Sequence, residues 1–181
     1  MPHIRLPPGE PGIIGLLVAF PETEKPLDDL ANVLMTGPSS LTRAERELIA
    51  VRVSSGNECT FCTNSHAAVA RQLLGDHESV VDSVSGGGAP GNVSAKLAAL
   101  LAIADKVRRD GRLVTADDVE RARRVGADDR AIHDTVLIAA MFSMLNRYVD
   151  GLATVTPQDP SVYEQIGARI AAHGYGSRFR K

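Results

Sequence analysis

The residues TRAERELIAVRVSSGNECTFCTNSHAAVARQLLG, 42–75, carry two helix signatures back to back, and their reading decides the fold. Thr42 with Glu45 three residues on forms a capping box, and Ala44, Leu48 and Val51 fall on one stripe of the helix it opens. Gly56 and Asn57 supply a stop. A second helix is predicted to begin near Cys59 and to run to Leu74, with Gly75 as its C-terminal cap. Glu47 lies about 60° from the apolar stripe, which places it partly buried at the edge of the first helix.

The same reading extends outward along the chain, where nothing sustains the two-residue alternation of a strand. A Pro-rich start gives way to a short apolar helix over 13–20 and a second over 26–36, ended by Gly37 and Pro38. Residues 76–84 suit a short helix. The segment 94–109 is amphipathic, with Leu97, Leu100, Leu101 and Ala104 on one face and Lys106, Arg108 and Arg109 in its last turn. Thr115 caps a helix over 116–125, and Pro157 and Pro160 precede a last one over 161–173. Residues 128–149, with VLIAAMFSML at their centre, are apolar almost all round, as expected of a central helix or a subunit interface. The prediction is all-α, one domain over 1–181 with no internal repeat.

Composition narrows the partners. The chain has 181 residues, 44% of them hydrophobic and 23% charged, enough to bury a substantial core. Its 20 basic and 22 acidic side chains leave a formal charge of -2, with no global attraction for nucleic acid or an anionic membrane surface. Prolines occupy the N-terminal stretch where a signal peptide needs an apolar run, and IIGLLVAF is too short to span a bilayer. Two thiols in C-x-x-C and no others suit a reducing cytoplasm. The string G-x-G-x-x-G at Gly86, Gly88 and Gly91 follows no strand and contains Pro90, so it reads as a loop and not a dinucleotide site. The basic tail SRFRK reads as a frayed end.

Chemistry concentrates at the cysteines. On a helix Cys59 and Cys62 are about one turn apart, and His66 returns to within about 20° of Cys59 after two turns. A thiolate attacks where a thiol does not, and the first turn of a helix, with an imidazole on the next, favours the thiolate. A second thiol can then resolve a sulfenic acid. Cys59 gains more from the helix dipole, whereas Cys62 has His66 on the adjacent turn, so spacing leaves the order of attack open. Zinc needs four ligands, and here His66 is the third at most. Covalent haem attachment requires the histidine directly after the second cysteine, where Thr63 stands. The plain alternative is a pair of small buried hydrophobes beside a packed histidine.

The run 38–75, PSSLTRAERELIAVRVSSGNECTFCTNSHAAVARQLLG, resembles the core of the AhpD-like alkylhydroperoxidases of the carboxymuconolactone decarboxylase superfamily, most closely their peroxidase-related branch. The pattern is Glu47, twelve residues before Cys59, then C-x-x-C and a histidine four residues on; LNRYVDGLA, 145–153, is similar to the Asn-Arg segment of that branch. The resemblance implies an AhpD-like orthogonal helical bundle, a homo-oligomer, and reduction of organic hydroperoxides or hydrogen peroxide without metal or bound cofactor. It assigns Cys62 as peroxidatic thiol, Cys59 as resolving partner, and Glu47 with His66 as proton relay. The reductant it implies is a dithiol, from a lipoyl-bearing or thioredoxin-like protein. Well-studied members carry a histidine between the cysteines; this chain has Phe61. Two other functions compete: an enzyme of the superfamily acting on a small lactone or carboxylate, and a redox-sensing or zinc-binding oligomer.

Other residues carry less. Glu47 could instead pair with Arg43 one turn earlier. His133 reads as a structural histidine at the start of the apolar helix, Asn146 and Arg147 as hydrogen-bonding fold determinants, and Met141 with Met144 as core. His3, His77 and His173 lie in terminal or loop positions.

Overall fold

A computed structural model describes residues 1–86 and 91–176. Among these residues the chain forms nine α-helices and no strand: α1 (Gly12–Ala19), α2 (Pro21–Thr36), α3 (Arg43–Gly56), α4 (Thr60–Leu74), α5 (Ser79–Ser85), α6 (Ala95–Val107), α7 (Ala116–Arg124), α8 (Asp129–Gly151) and α9 (Pro160–His173). None of them is long and apolar enough to cross a membrane. Side-chain caps set many of the starts. Thr42 Oγ1 accepts from the Glu45 amide while the Glu45 carboxylate accepts from the Thr42 amide, and Thr115 with Asp118 repeats the box at α7. Ser94, Asp128 and Asp159 cap α6, α8 and α9.

The second helix starts earlier than the 26–36 read from the sequence. Pro21 occupies the first helical position, where its missing N–H is no loss, and Pro26 lies inside the helix. Gly86 ends α5 and Gly91 lies in a turn, whereas Gly88 and Pro90 of the glycine string fall outside the described residues, as does the tail 177–181.

Helix α3 is the centre of the molecule, packed by α4, α8, α6, α5 and α2. The single stripe expected of it is therefore too narrow: every residue from Arg46 to Ser54 is buried. Its charges survive burial because each finds partners. Arg46 Nη1 donates to the carbonyls of Leu34 and Gly37, both at 2.9 Å, closing the end of α2. Arg52 grips Asp105 Oδ2 through Nε at 2.9 Å and Nη2 at 2.7 Å.

The turn between α3 and α4 also departs from expectation. The left-handed residue is Glu58, at φ 62°, after which the Cys59 amide donates to the Ser54 carbonyl at 3.0 Å. Gly56 serves close approach instead. A Cβ there would lie 2.3 Å from Arg108 Nε, and Arg108 Nη1 donates to the Gly56 carbonyl at 2.6 Å. Because an exposed glutamate holds a conformation that suits glycine, Glu58→Gly is expected to stabilise the fold by about 0.5–1 kcal/mol. Thermal denaturation checks this; a lower melting temperature in the variant would refute it.

Helix α8 is buried on one side and open on the other. Ala131, Thr135, Ile138, Phe142, Leu145 and Val149 face inward, while Ala140 is exposed and Met144, expected in the core, is 47% exposed. Its apolar sequence exceeds the face this chain covers. Asn146 is the buried staple: its Oδ1 accepts from Asn57 Nδ2 at 2.9 Å and its Nδ2 donates to Ser54 Oγ at 3.1 Å, tying α8 to the end of α3. Arg147 reaches outward and donates to the Ser143 carbonyl at 2.7 Å. His133 stands on the surface, with Nδ1 2.9 Å from Asp134 Oδ1.

Candidate active site

The α3–α4 hairpin aligns the site. Glu47 lies ten or so residues before the turn and His66 eight or so after it, and at 1.5 Å per residue the two helices bring them to nearly the same height. The result is a contact of 2.9 Å between Glu47 Oε2 and His66 Nδ1. Glu47 is not at a helix edge but buried, at 2% exposure, and His66 is buried beside it. Arg43, the other partner considered for Glu47, instead donates to the carbonyls of Ala171 and Ile170 at the end of α9.

Cys59 is the N-cap of α4 and Cys62 lies in its first turn. Both are free and buried. Their surroundings differ in one respect that matters for reactivity: Cys62 lines a cavity of about 100 Å³, and Cys59 does not. A hydrogen bond toward Cys62, and then burial, hold the Cys59 thiol far above the ordinary thiol range. The helix-dipole advantage read for Cys59 is thus overridden by a partner that favours the protonated form and by desolvation.

The cavity lies between α1, α2, α4, α8 and α9, and its walls are mainly apolar. Besides Cys62, its polar lining is Asp28, Ser65, His66, Arg169 and Tyr175. Phe142 meets the His66 ring edge-on with centroids 4.2 Å apart. Phe61, between the two cysteines, packs against Tyr163 at 6.0 Å and over Gly12, where a Cβ would fall 2.2 Å from the phenyl ring. The site therefore has an apolar wall at that position.

Cys62, Cys59, His66 and Glu47, picked from the sequence, are all brought to one place. Tyr175 was missed. Its hydroxyl donates to Glu47 Oε1 at 2.8 Å and lies 3.1 Å from His66 Nδ1. Burial, and then the neighbouring Glu47 charge, hold its phenol well above the usual tyrosine range, so it keeps its proton. A tyrosine between two glycines beyond the last helix carries no local signal of such a role. His133, Asn146 and Arg147 lie outside the cavity lining. Among the described residues no three His, Cys, Asp or Glu side chains group as metal ligands.

The arrangement places one thiol, Cys62, and one imidazole, His66, at a small, mainly apolar space, with the second thiol, Cys59, and the Glu47 carboxylate that holds His66 buried behind them.

Residues 21–105 match the carboxymuconolactone decarboxylase family. No functionally curated protein matches the chain. An uncharacterised peroxidase-related protein from Silicibacter sp. TM1040 superposes with a TM-score of 0.74 at 31% identity, over 83% of this chain and 78% of its own. An uncharacterised peroxidase-related protein with an alkylhydroperoxidase AhpD core, from Ralstonia eutropha JMP134, gives 0.77 at 25% identity, over 87% and 80%. A protein of unknown function from Agrobacterium tumefaciens gives 0.70 at 23% identity, over 82% and 99%, and shares the fold.

Proposed function

The chain belongs to the carboxymuconolactone decarboxylase family as an AhpD-like member, and from that premise we propose that it is a thiol-dependent peroxidase acting through Cys62 and Cys59. The observation that carries this reading is the placement of two free thiols side by side, with only Cys62 opening on a cavity that His66 also lines.

In the proposed reaction His66, anchored to Glu47 through Nδ1, takes the Cys62 proton at its other ring nitrogen. The thiolate attacks one oxygen of a hydroperoxide; the S–O bond forms, the O–O bond breaks, and the departing alkoxide takes a proton to leave as an alcohol. Cys62 is now a sulfenic acid. The Cys59 sulfur attacks it, an S–S bond forms, and the hydroxyl leaves as water with the proton given up by Cys59. Cys59 suits the second step because it lies beside Cys62 and, held protonated, does not compete as the first nucleophile; its proton leaves as the S–S bond forms. A dithiol donor, such as a lipoyl-bearing or thioredoxin-like protein, returns both sulfurs to thiols and closes a two-electron cycle.

Thiol titration before and after one equivalent of tert-butyl hydroperoxide tests this. Loss of both thiols per chain, restored by dithiothreitol, is expected; unchanged thiols rule the proposal out. Inert thiols combined with turnover of a small lactone would move the chain to the decarboxylase-like chemistry of its superfamily.

A further inference from the structure

We propose that Tyr175 is a positioning residue of this site, its hydroxyl locking the Glu47–His66 pair in the one hydrogen-bonded arrangement that leaves His66 Nε2 free to take a proton. The inference rests on the thiol-nucleophile reading for its catalytic meaning, but its physical content stands apart.

Glu47 is a buried carboxylate whose two oxygens each meet one donor, His66 Nδ1 at Oε2 and Tyr175 Oη at Oε1. Remove the phenol hydroxyl and one buried oxygen loses its donor, which costs the full desolvation of that oxygen. The Tyr175 oxygen also lies 3.1 Å from His66 Nδ1. With its own hydrogen committed to Glu47, it faces that nitrogen as an acceptor. Nδ1 is therefore surrounded by acceptors from α3 and from the chain after α9, which holds the ring hydrogen there and the lone pair at Nε2.

How Tyr175 arrives is the second observation. Gly174 has φ 78° and ψ -176°, a region essentially confined to glycine, and Gly176 has φ 72°. A Cβ on Gly174 would lie 2.7 Å from Asn32 Oδ1, and one on Gly176 3.0 Å from Asp28 Oδ2. Both flanking residues thus need glycine to let the chain turn tightly against α2 and push one aromatic side chain to the cavity. This segment lies beyond residues 21–105 that match the family, so the matched region alone does not complete the hydrogen-bonded group.

The test is Tyr175→Phe in the full chain, which removes one oxygen and keeps the ring. Imidazole nitrogen NMR of His66, assigned by loss of its signals in His66→Gln, should show a single Nδ1–H tautomer in the wild type at neutral pH and a mixture in Tyr175→Phe. Thiol loss to tert-butyl hydroperoxide should slow by about 10- to 100-fold, with the melting temperature lowered by about 2–12 °C and the protein still folded at the assay temperature. Gly174→Ala, which keeps the phenol but displaces it, should shift the tautomer in the same direction. An unchanged His66 tautomer in Tyr175→Phe overturns the proposal whatever the wild-type rate. Peroxide-inert wild-type thiols together with the tautomer shift would remove the peroxidase reading and leave the positioning role in place.

Discussion

Cys62→Ser is expected to abolish peroxide consumption, a loss of at least about a thousand-fold, because the nucleophile of a covalent mechanism has no substitute. Cys59 cannot stand in for it. It is fully buried, it does not reach the cavity, and its thiol is held protonated by the bond toward residue 62 and by desolvation. Burial, which raises the Cys59 pKa whatever stands at position 62, remains in this variant, so the remaining thiol should resist alkylation through the neutral range and into mildly alkaline solution. The sign follows from the direction of the shift: a thiol whose pKa is raised stays unreactive as pH climbs past the ordinary thiol value. Cys59→Ser gives the opposite pattern, one rapid attack that stops at a Cys62 sulfenic acid, trapped by dimedone and seen by mass spectrometry. Turnover by Cys62→Ser at the wild-type rate would remove Cys62 from the chemistry altogether.

The largest effect on stability is expected at Gly167. Helix α9 lies so close to α4 that a Cβ on Gly167 would sit 2.7 Å from the Ala68 carbonyl carbon, 2.8 Å from its Cβ and 2.9 Å from its oxygen. Two of those three atoms are backbone, which cannot rotate aside. Gly167→Ala must therefore lift α9 from α4 and should cost about 2–3 kcal/mol, despite the gain in helix propensity. In a chain of this size that lowers the melting temperature by about 4–12 °C. Gly151→Ala is the control, since a Cβ there meets nothing within 4 Å. It should be neutral or slightly stabilising. Equal melting temperatures for the two variants would show that the α4–α9 contact does not limit the fold. Because α9 leads directly into Tyr175, Gly167→Ala should also disturb the Glu47–His66 pair, linking a packing defect to the site.

Helix existence was readable wherever a local hydrogen bond or a run of spacing announced it. The Thr42 and Glu45 box, the Thr115 cap, the glycine after Leu74 and the spacing of Cys59, Cys62 and His66 all act within one or two turns, and a short window of residues contains every atom involved. Burial is a different kind of quantity. Glu47 looked half-exposed because α3 on its own shows one apolar stripe, yet five other helices pack around it, and no property of residues 43–56 counts those neighbours. The reverse holds for Met144, apolar in sequence and open in the fold.

The amino-acid sequence by itself determined the all-helical class, the ends of most helices and the set of sulfur, imidazole and carboxylate groups available for chemistry, since these follow from contacts between residues near one another along the chain. Tertiary structure alone decided which sulfur meets the cavity, that Cys59 keeps its proton, and that a tyrosine 128 residues from Glu47 closes its hydrogen-bonded group. Solvent exclusion and long-range approach are set by whichever elements happen to pack together, so they exist only once the helices have assembled.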